Sequence, residues 1–335
     1  MHVSINIVSW NDRRYLPELF AAIRSQTHKD YTVRILDNGN PDGEALQYIM
    51  QNEPHWLAVR NTKNVGFGCG QNQLMRIAFD RYVGDMTDHA MLIANSDMDW
   101  SPTMLEELVK ALEEYPETDV VQPKIFRAYS ERGDIEGDAV KSDILDSTGL
   151  AVLKGWRFVD RGAGEMDQGQ YDSATDIFGP SGTISLVRAS AIIDIMFGEE
   201  IFDADFFSYC EDWDFAWRLH NAGHKTRFVP LARAHHYCGM FGTEPRTLKQ
   251  RFQDRKLRRP SLIALSTRNT LFVLLKNLSF RELCKNFPWI LFYQGKRILF
   301  AVVFERETRG ALLRAPLFFL RIIRKRSVIH YPHVS

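Results

Sequence analysis

The chain has 335 residues, 45% of them hydrophobic and 25% charged, a balance that excludes a disordered, collagen-like or coiled-coil protein and suits two domains or one large α/β domain with an appendage. Its 42 basic and 42 acidic residues cancel, yet residues 1–240 hold 22 basic against 37 acidic residues and residues 241–335 hold 20 against 5. No segment reaches the roughly 18 uninterrupted apolar residues of a membrane span, the start MHVSINIVSWN lacks the pattern of a secretory signal, and four scattered cysteines indicate neither a disulfide framework nor a thiolate zinc site, so a reducing cytoplasm is expected.

In chain order, Val3, Ile5, Ile7 and Val8 ahead of Asn11-Asp12 predict a buried strand over 2–10. Leu16, Leu19, Phe20 and Ile23 recur at helical spacing over 15–26, with Pro17 near the start. A strand over 32–36 runs into the turn-rich DNGNPDG, followed by a helix over 44–51 and a short strand over 56–59. The stretch NVGFGCGQN predicts a glycine-rich loop over 64–70 and then a helix over 71–82. Gln71 stands where a dinucleotide fingerprint needs glycine, so an NAD site is not expected. A strand over 90–94 ends at Asn95-Ser96-Asp97, an amphipathic helix covers 103–115, and a strand follows near 120.

This alternation predicts a mostly parallel sheet covered on both faces, with ligands beyond the strand ends where Asp37, Asn64 and Asp97 sit. Residues 125–180 predict loops and an antiparallel excursion. Residues 206–222 predict an acidic loop entering a helix that ends at Gly223, and residues 227–229 a further strand.

Three clusters could carry chemistry. NSDMD at 95–99 offers oxygen ligands for a hard divalent cation, or is a solvated or helix-capping turn. CEDWD at 210–214 places three carboxylates at a helix start, where they complement the helix dipole or supply a general base. His235-His236 offers an imidazole ligand, or serves packing.

Taken in order, SINIVSWN, LDNGNPDG, NVGFGCGQN, NSDMD, FGPSG and FSYCEDWDFAWRLHNAGHKTRFVPLARAHH resemble family 2 glycosyltransferases of the GT-A fold. The stretch DRGAGEMDQGQYDSATDIFGPSG resembles the branch that includes bacterial rhamnosyltransferases of cell-surface polysaccharides. The resemblance implies a Rossmann-like GT-A catalytic domain over 1–240, with a nucleotide-binding half at 1–100 and an acceptor-binding half at 101–240. A basic, helical C-terminal region over 241–335 follows.

By the same resemblance, Ser9, Trp10, Asn11, Asp37, Asn38, Asn64, Gly66, Phe67, Asn72, Asn95 and Ser96 would contact the nucleotide-sugar, Asp37 reading the imide of uracil or thymine. Asp97, Asp99 and His236 would hold Mg²⁺ or Mn²⁺. Asp212, beside Glu211, would be the general base. Gly182, Asp214 and Arg218 would shape the acceptor or donor pocket, with a structural pairing of Arg218 to nearby acids as the alternative. The implied activity is inverting, metal-dependent transfer of a sugar, foremost L-rhamnose from dTDP-rhamnose, to a lipid-linked glycan. The rivals are another UDP- or dTDP-sugar donor and a non-catalytic nucleotide-sugar-binding or membrane scaffold protein.

The tail contains FPWILFYQGKRILFAVVF and APLFFLRIIRKR, apolar runs broken by Lys, Arg, Gln or Pro. Amphipathic helices with basic edges are expected to lie on the cytoplasmic face of the inner membrane rather than cross it, with a helical cap on the acidic domain or a homo-oligomer interface as alternatives. Nucleic acid is not an expected partner, since no recognition motif accompanies the basic stretch.

Overall fold

The computed structural model describes residues 1–130, 139–237 and 260–328; the onset of the basic tail near residue 241 lies outside the described residues. The first strand, β1 (His2–Ser9), is buried on both faces, as a central parallel strand must be. It pairs in parallel with β2 (Tyr31–Asp37) and β4 (His89–Asn95), and β3 (Leu57–Arg60) extends the parallel set beyond β2.

The remaining strands reverse direction once and then resume it. Strand β11 (Ile184–Arg188) is antiparallel to both β4 and β6 (Thr118–Ser130), and β12 (Lys225–His236) runs parallel beside β6. Short strands finish the ten-stranded sheet: β5 (Met98–Trp100) and β10 (Asp176–Ile177) on β12, and β7 (Ala139–Ser147) on β6. The expected antiparallel excursion is therefore β7, β10 and the separate hairpin of β8 (Leu150–Leu153) with β9 (Arg157–Asp160).

Helices α1 (Leu16–Ser25), α2 (Glu44–Asn52) and α4 (Met104–Glu114) cover one face of the sheet. The fully buried Leu105, Leu108 and Leu112 of α4 contribute about 1.5–3 kcal/mol each over leaving them exposed. Helices α3 (Phe67–Arg81), α5 (Ala189–Ile195) and α6 (Glu211–Asn221) cover the other face.

The glycine-rich stretch departs from its expected form. Helix α3 begins at Phe67, so Gly68 and Gly70 are helical rather than loop. Packing overrides their poor helix propensity: a Cβ on Gly70 would lie 3.0 Å from Leu36 and Val8, and one on Gly68 would lie 2.9 Å from Phe202.

The C-terminal helices are α7 (Pro260–Asn277), α8 (Phe280–Phe304), α9 (Arg306–Arg314) and α10 (Pro316–Val328). Helix α7 shares a core with α6 and the segment before it, joining Phe272, Val273 and Leu274 to Phe206, Cys210 and Trp217. The sequence reading took the apolar runs of the tail as too short and interrupted to span a bilayer. In the structure α8 runs unbroken through Pro288 for 25 residues and, by length and composition alone, is the one helix among the described residues long and apolar enough to cross a membrane, its most apolar 18-residue stretch having a mean hydropathy of 1.2. A capping box of Ser279 and Glu282 fixes where it starts.

Candidate active site

The strand ends converge on one cleft of about 320 Å³, lined by Trp10, Asn11, Asp12, Tyr15, Phe67, Asn95, Ser96, Asp97 and Tyr237 among others. Asp97 reaches it from the turn between β4 and β5. A register shift between Val229 and Arg233 bends β12, so that its last residues pair with β5 and set His236 opposite Met98. The Tyr237 N–H then donates to the Asp97 carbonyl at 2.9 Å.

His236 Nε2 lies 3.3 Å from Asp97 Oδ1, while its Nδ1 lies 2.9 Å from Asp146 Oδ2. Burial pushes the Asp146 carboxyl up, but hydrogen bonds and charge from His236 and Arg127 outweigh it and hold that group below its ordinary value. Arg127 Nε donates to Asp146 Oδ1 at 3.1 Å. An imidazole whose second nitrogen is fixed by a carboxylate is the usual support for a metal-binding histidine.

Asp97 and His236 therefore fit a divalent cation that shares its remaining coordination with phosphate and water. Among the described residues no group of three His, Cys, Asp or Glu side chains is gathered for a metal. Asp99 does not join the pair: its carboxylate is taken by Lys141 at 2.8 Å, which also reaches Glu18 at 3.2 Å. His235, alternating to the other side of the strand, stacks on Phe126.

Asp12 is a member that the sequence reading did not single out. It is buried, accepts hydrogen bonds from the Ser9 and Ser96 hydroxyls and from Trp10 N–H, and is pushed up to about 6 by burial, with the charge of Asp97 adding to the effect. Ser9 and Ser96 thus hold Asp12 rather than point freely into the cleft.

Asp37, the last residue of β2, is fully buried. One oxygen accepts from the Asn40 backbone at 3.0 Å and from the Asn40 amide, while Oδ2 has no hydrogen-bond donor and lies 3.5 Å from Arg60 Nε. An unsatisfied buried carboxylate oxygen is costly unless a ligand supplies the donor. Asn40 also receives the Asn11 N–H, and Asn11 itself adopts φ 59°.

Asn38 and Asn72 bond the protein's own groups. Asn38 spends its amide on Asn61, Asn64, Val65 and Gly66, holding the loop 61–66 in shape. Asn72 donates to Phe202 O at 2.7 Å and accepts from Phe202 N at 2.8 Å, so it clamps buried backbone away from the cleft. Asn64 closes a tight turn onto Gly66 N at 2.7 Å. Gly66 is required to be glycine: at φ 90° a Cβ would lie 2.1 Å from Phe207 O.

The acidic pair opens α6, where its charge faces the helix dipole. Gly182 N–H donates to Asp212 Oδ2 at 3.1 Å, and a Cβ on Gly182 would lie 2.9 Å from Asp212 Cβ, so the GPSG turn cradles this carboxylate. Gln122 fixes the turn by accepting from Ser181 N–H at 2.6 Å. Burial pushes Asp212 up to about 6. Glu211 is also raised by burial and by its neighbour's charge, and its Oε2 has no hydrogen-bond partner. A carboxylate tuned toward neutrality suits a general base. Asp160 on β9 stands in electrostatic range of Asp212, Asp146 and His236, which ties the two acidic clusters to one region.

The loop delivering α6 is strained: Phe207, Tyr209 and Cys210 all have positive φ, at 64°, 71° and 66°, each costing on the order of 1 kcal/mol or more for a non-glycine residue.

Asp214 and Arg218 do not line the cleft. Both are buried; Arg218 Nε bonds Asp214 Oδ2 at 2.9 Å, and Lys276 of α7 reaches Asp214 and Asp203 at 2.8 Å each. They form an ion cluster that fastens α6 to the C-terminal helices.

Residues 4–194 match glycosyl transferase family 2. The N-acetylglucosaminyl-diphospho-decaprenol L-rhamnosyltransferase of Mycobacterium tuberculosis is 26% identical over 246 residues, spanning 71% of this chain and 77% of that protein. Rhamnosyltransferase WbbL of Escherichia coli is 25% identical over 238 residues, spanning 66% of this chain and 83% of that protein. The crystal structure of S. aureus TarS 1–349 in complex with UDP superposes with a TM-score of 0.54 at 16% identity, covering 97% of this chain and 82% of that one. With more than half its length matched and a curled, mostly parallel sheet of the GT-A type, this chain belongs to glycosyl transferase family 2 and is a glycosyltransferase.

Proposed function

We propose that the protein catalyses inverting transfer of a sugar from a dTDP- or UDP-sugar to a hydroxyl of a lipid-linked glycan, with dTDP-L-rhamnose the leading donor, in bacterial surface polysaccharide synthesis. The observation that carries the reading is Asp212: a carboxylate raised toward neutrality, cradled by Gly182 N–H at the start of α6. Its donor class is supported by Asp37, whose unsatisfied Oδ2 suits the imide N–H shared by uracil and thymine. The rhamnosyl and lipid-linked parts rest on the names of the two rhamnosyltransferases, one of which carries a diphospho-decaprenol acceptor in its name.

In this reading Asp212 takes the proton of the acceptor hydroxyl as that oxygen bonds to the anomeric carbon. The bond from that carbon to the nucleoside diphosphate breaks on the opposite face, so the configuration inverts without a covalent enzyme intermediate. Asp37 and the Asn38-braced loop orient the base, and Trp10 and Phe67 wall the cleft. Asp97 and His236 would hold Mg²⁺ or Mn²⁺, which when bound neutralises charge on the departing diphosphate.

The acceptor reading also gives the C-terminal surface a role. Helices α8 and α10 expose Leu291 (59%), Leu299 (66%), Leu317 (77%) and Leu320 (71%), among basic residues that include Lys285, Lys296, Arg314 and Arg324. Few residues of α8 are buried: Gln294 and Ala301 are, and Arg297 bonds Thr270 and Ser266 of α7. Exposed apolar side chains interleaved with these basic ones suit lying in an anionic leaflet on the cytoplasmic side, where nucleotide sugars are found, rather than crossing it. Flotation with anionic vesicles should be strong for the intact chain and weak for a Leu291→Asp/Leu299→Asp variant; equal partitioning would sink the surface assignment.

The direct test of the activity is release of nucleoside diphosphate from a panel of sugar nucleotides with Mg²⁺, Mn²⁺ or chelator, beside Asp97→Ala. Metal-dependent turnover of dTDP-rhamnose is expected. Preference for a UDP-sugar would overturn the rhamnose assignment and keep the mechanism. No turnover together with no nucleotide binding would favour a scaffold.

A further inference from the structure

We infer that Asn269, on α7, is a positioning residue for the acidic pair: its side-chain amide holds the left-handed loop 206–210 that leads into Glu211 and Asp212 at the start of α6. The inference rests on Asp212 being the general base.

A chain that turns through positive φ at Phe207, Tyr209 and Cys210 cannot satisfy its own carbonyls by helix or sheet bonding. Asn269 does so from outside the segment. Its Nδ2 lies 2.8 Å from Phe206 O, 3.0 Å from Ser208 O and 2.8 Å from Tyr209 O. With two hydrogens for three acceptors, one bond is shared. Asn269 is fully buried, so no water competes for these carbonyls through it.

The amide's orientation is itself fixed. Its oxygen accepts from Arg268 Nε at 2.9 Å and Nη2 at 2.8 Å, and the same guanidinium donates to Asp205 O at 2.9 Å. Swapping oxygen and nitrogen would set three carbonyls against an oxygen and a guanidinium against an amine, so only one arrangement is satisfied.

The loop touches both halves of the site. Phe207 O accepts from Phe67 N at 3.1 Å, on the nucleotide side, and Cys210 O accepts from Asp214 N at 3.1 Å, opening α6. One buried amide on the C-terminal helices therefore sets the relation between the base and the nucleotide loop, although α7 follows the family-matched residues 4–194 by some distance in the chain.

The experiment compares the intact chain with Asn269→Ala and with Arg268→Lys, a milder change in which one ammonium cannot replace the forked donors. Amide hydrogen exchange over 206–212 and the melting temperature are read first, then UDP and dTDP affinity by calorimetry, then turnover of whichever sugar nucleotide the unmodified chain uses. Asn269→Ala should speed loop exchange roughly tenfold or more while the sheet stays protected. Its kcat should fall roughly 100-fold, as expected for a base displaced by about 1 Å, with nucleotide affinity changed far less. Arg268→Lys should move exchange and kcat together by a smaller factor.

Unchanged loop exchange in both variants would overturn the inference. So would a loosened loop with undiminished kcat, or losses confined to nucleotide affinity. If Asn269→Ala does not fold, Arg268→Lys decides by the same readings. Absence of turnover by the unmodified chain across the whole panel would count against the transferase reading alone, since loop exchange is measured without any substrate.

Discussion

Replacing Lys276 by methionine tests whether the C-terminal helices are part of the folded catalytic unit. The ammonium is fully buried and bridges Asp203 and Asp214, each also fully buried, at 2.8 Å. Methionine keeps much of the volume but removes the charge. Deleting one partner of a buried ion pair costs about 3–5 kcal/mol, because the opposite charge remains buried without compensation.

Here the lower end applies, because both carboxylates keep other cations: Arg218 stays on Asp214 at 2.9 Å, and Lys325 stays on Asp203. About 3 kcal/mol corresponds to a fall in melting temperature of roughly 4 °C for a chain of this size. Thermal unfolding of Lys276→Met, followed by circular dichroism, should show this fall, and adding Asp203→Asn should recover part of it. An unchanged melting temperature would refute the view that α7 is locked to α6 through this cluster.

Asp146→Asn keeps an acceptor for His236 but removes the charge, and should weaken Mn²⁺ binding in the presence of UDP by roughly 10–100-fold; calorimetry or spin-resonance titration would read it, and an unaltered affinity would remove Asp146 as support for His236. Gly182→Ala places a Cβ 2.9 Å from Asp212 Cβ, so kcat should drop roughly 100-fold while nucleotide binding persists. Asp212 must be ionised to accept a proton and burial pushes it up to about 6, so the rate should fall about tenfold per pH unit below that value and level off above it. A profile flat down to pH 4.5 would exclude a base of that kind.

Much of the fold was legible because its signals are local. Val3, Ile5 and Ile7 lie in one core cluster, and Leu105, Leu108 and Leu112 repeat at helical spacing, so strand and helix are written in a few consecutive residues. What failed was set by distant contacts. Gly68 and Gly70 look like loop until Phe202, Val8 and Leu36 crowd them, and only then does their presence in a helix make sense. Strand β11 and helix α5 escaped notice in a stretch of weak periodicity, and the place of β11 between β4 and β6 is decided by pairing across the chain.

The site divides the same way. Asp37, Asp97, Asp212 and His236 carry recognisable motifs, and the structure sets them at strand ends or at the start of α6. Asp99 and Asn72 share those motifs, but Lys141 claims the first and Phe202 backbone claims the second, facts written 42 and 130 residues away. Asp146 and Asn269 had no local signal, since their importance lies wholly in what they hold: an imidazole and a strained loop.

The most direct test of the central claim is to compare Asp212→Asn with the unmodified chain, measuring nucleotide binding by calorimetry and sugar transfer to a lipid-linked acceptor on the same preparations. Asparagine preserves shape and can still accept the Gly182 N–H but cannot take a proton at neutral pH, so the account predicts a folded protein that binds UDP or dTDP normally and transfers no sugar. Full transfer by folded Asp212→Asn would contradict it.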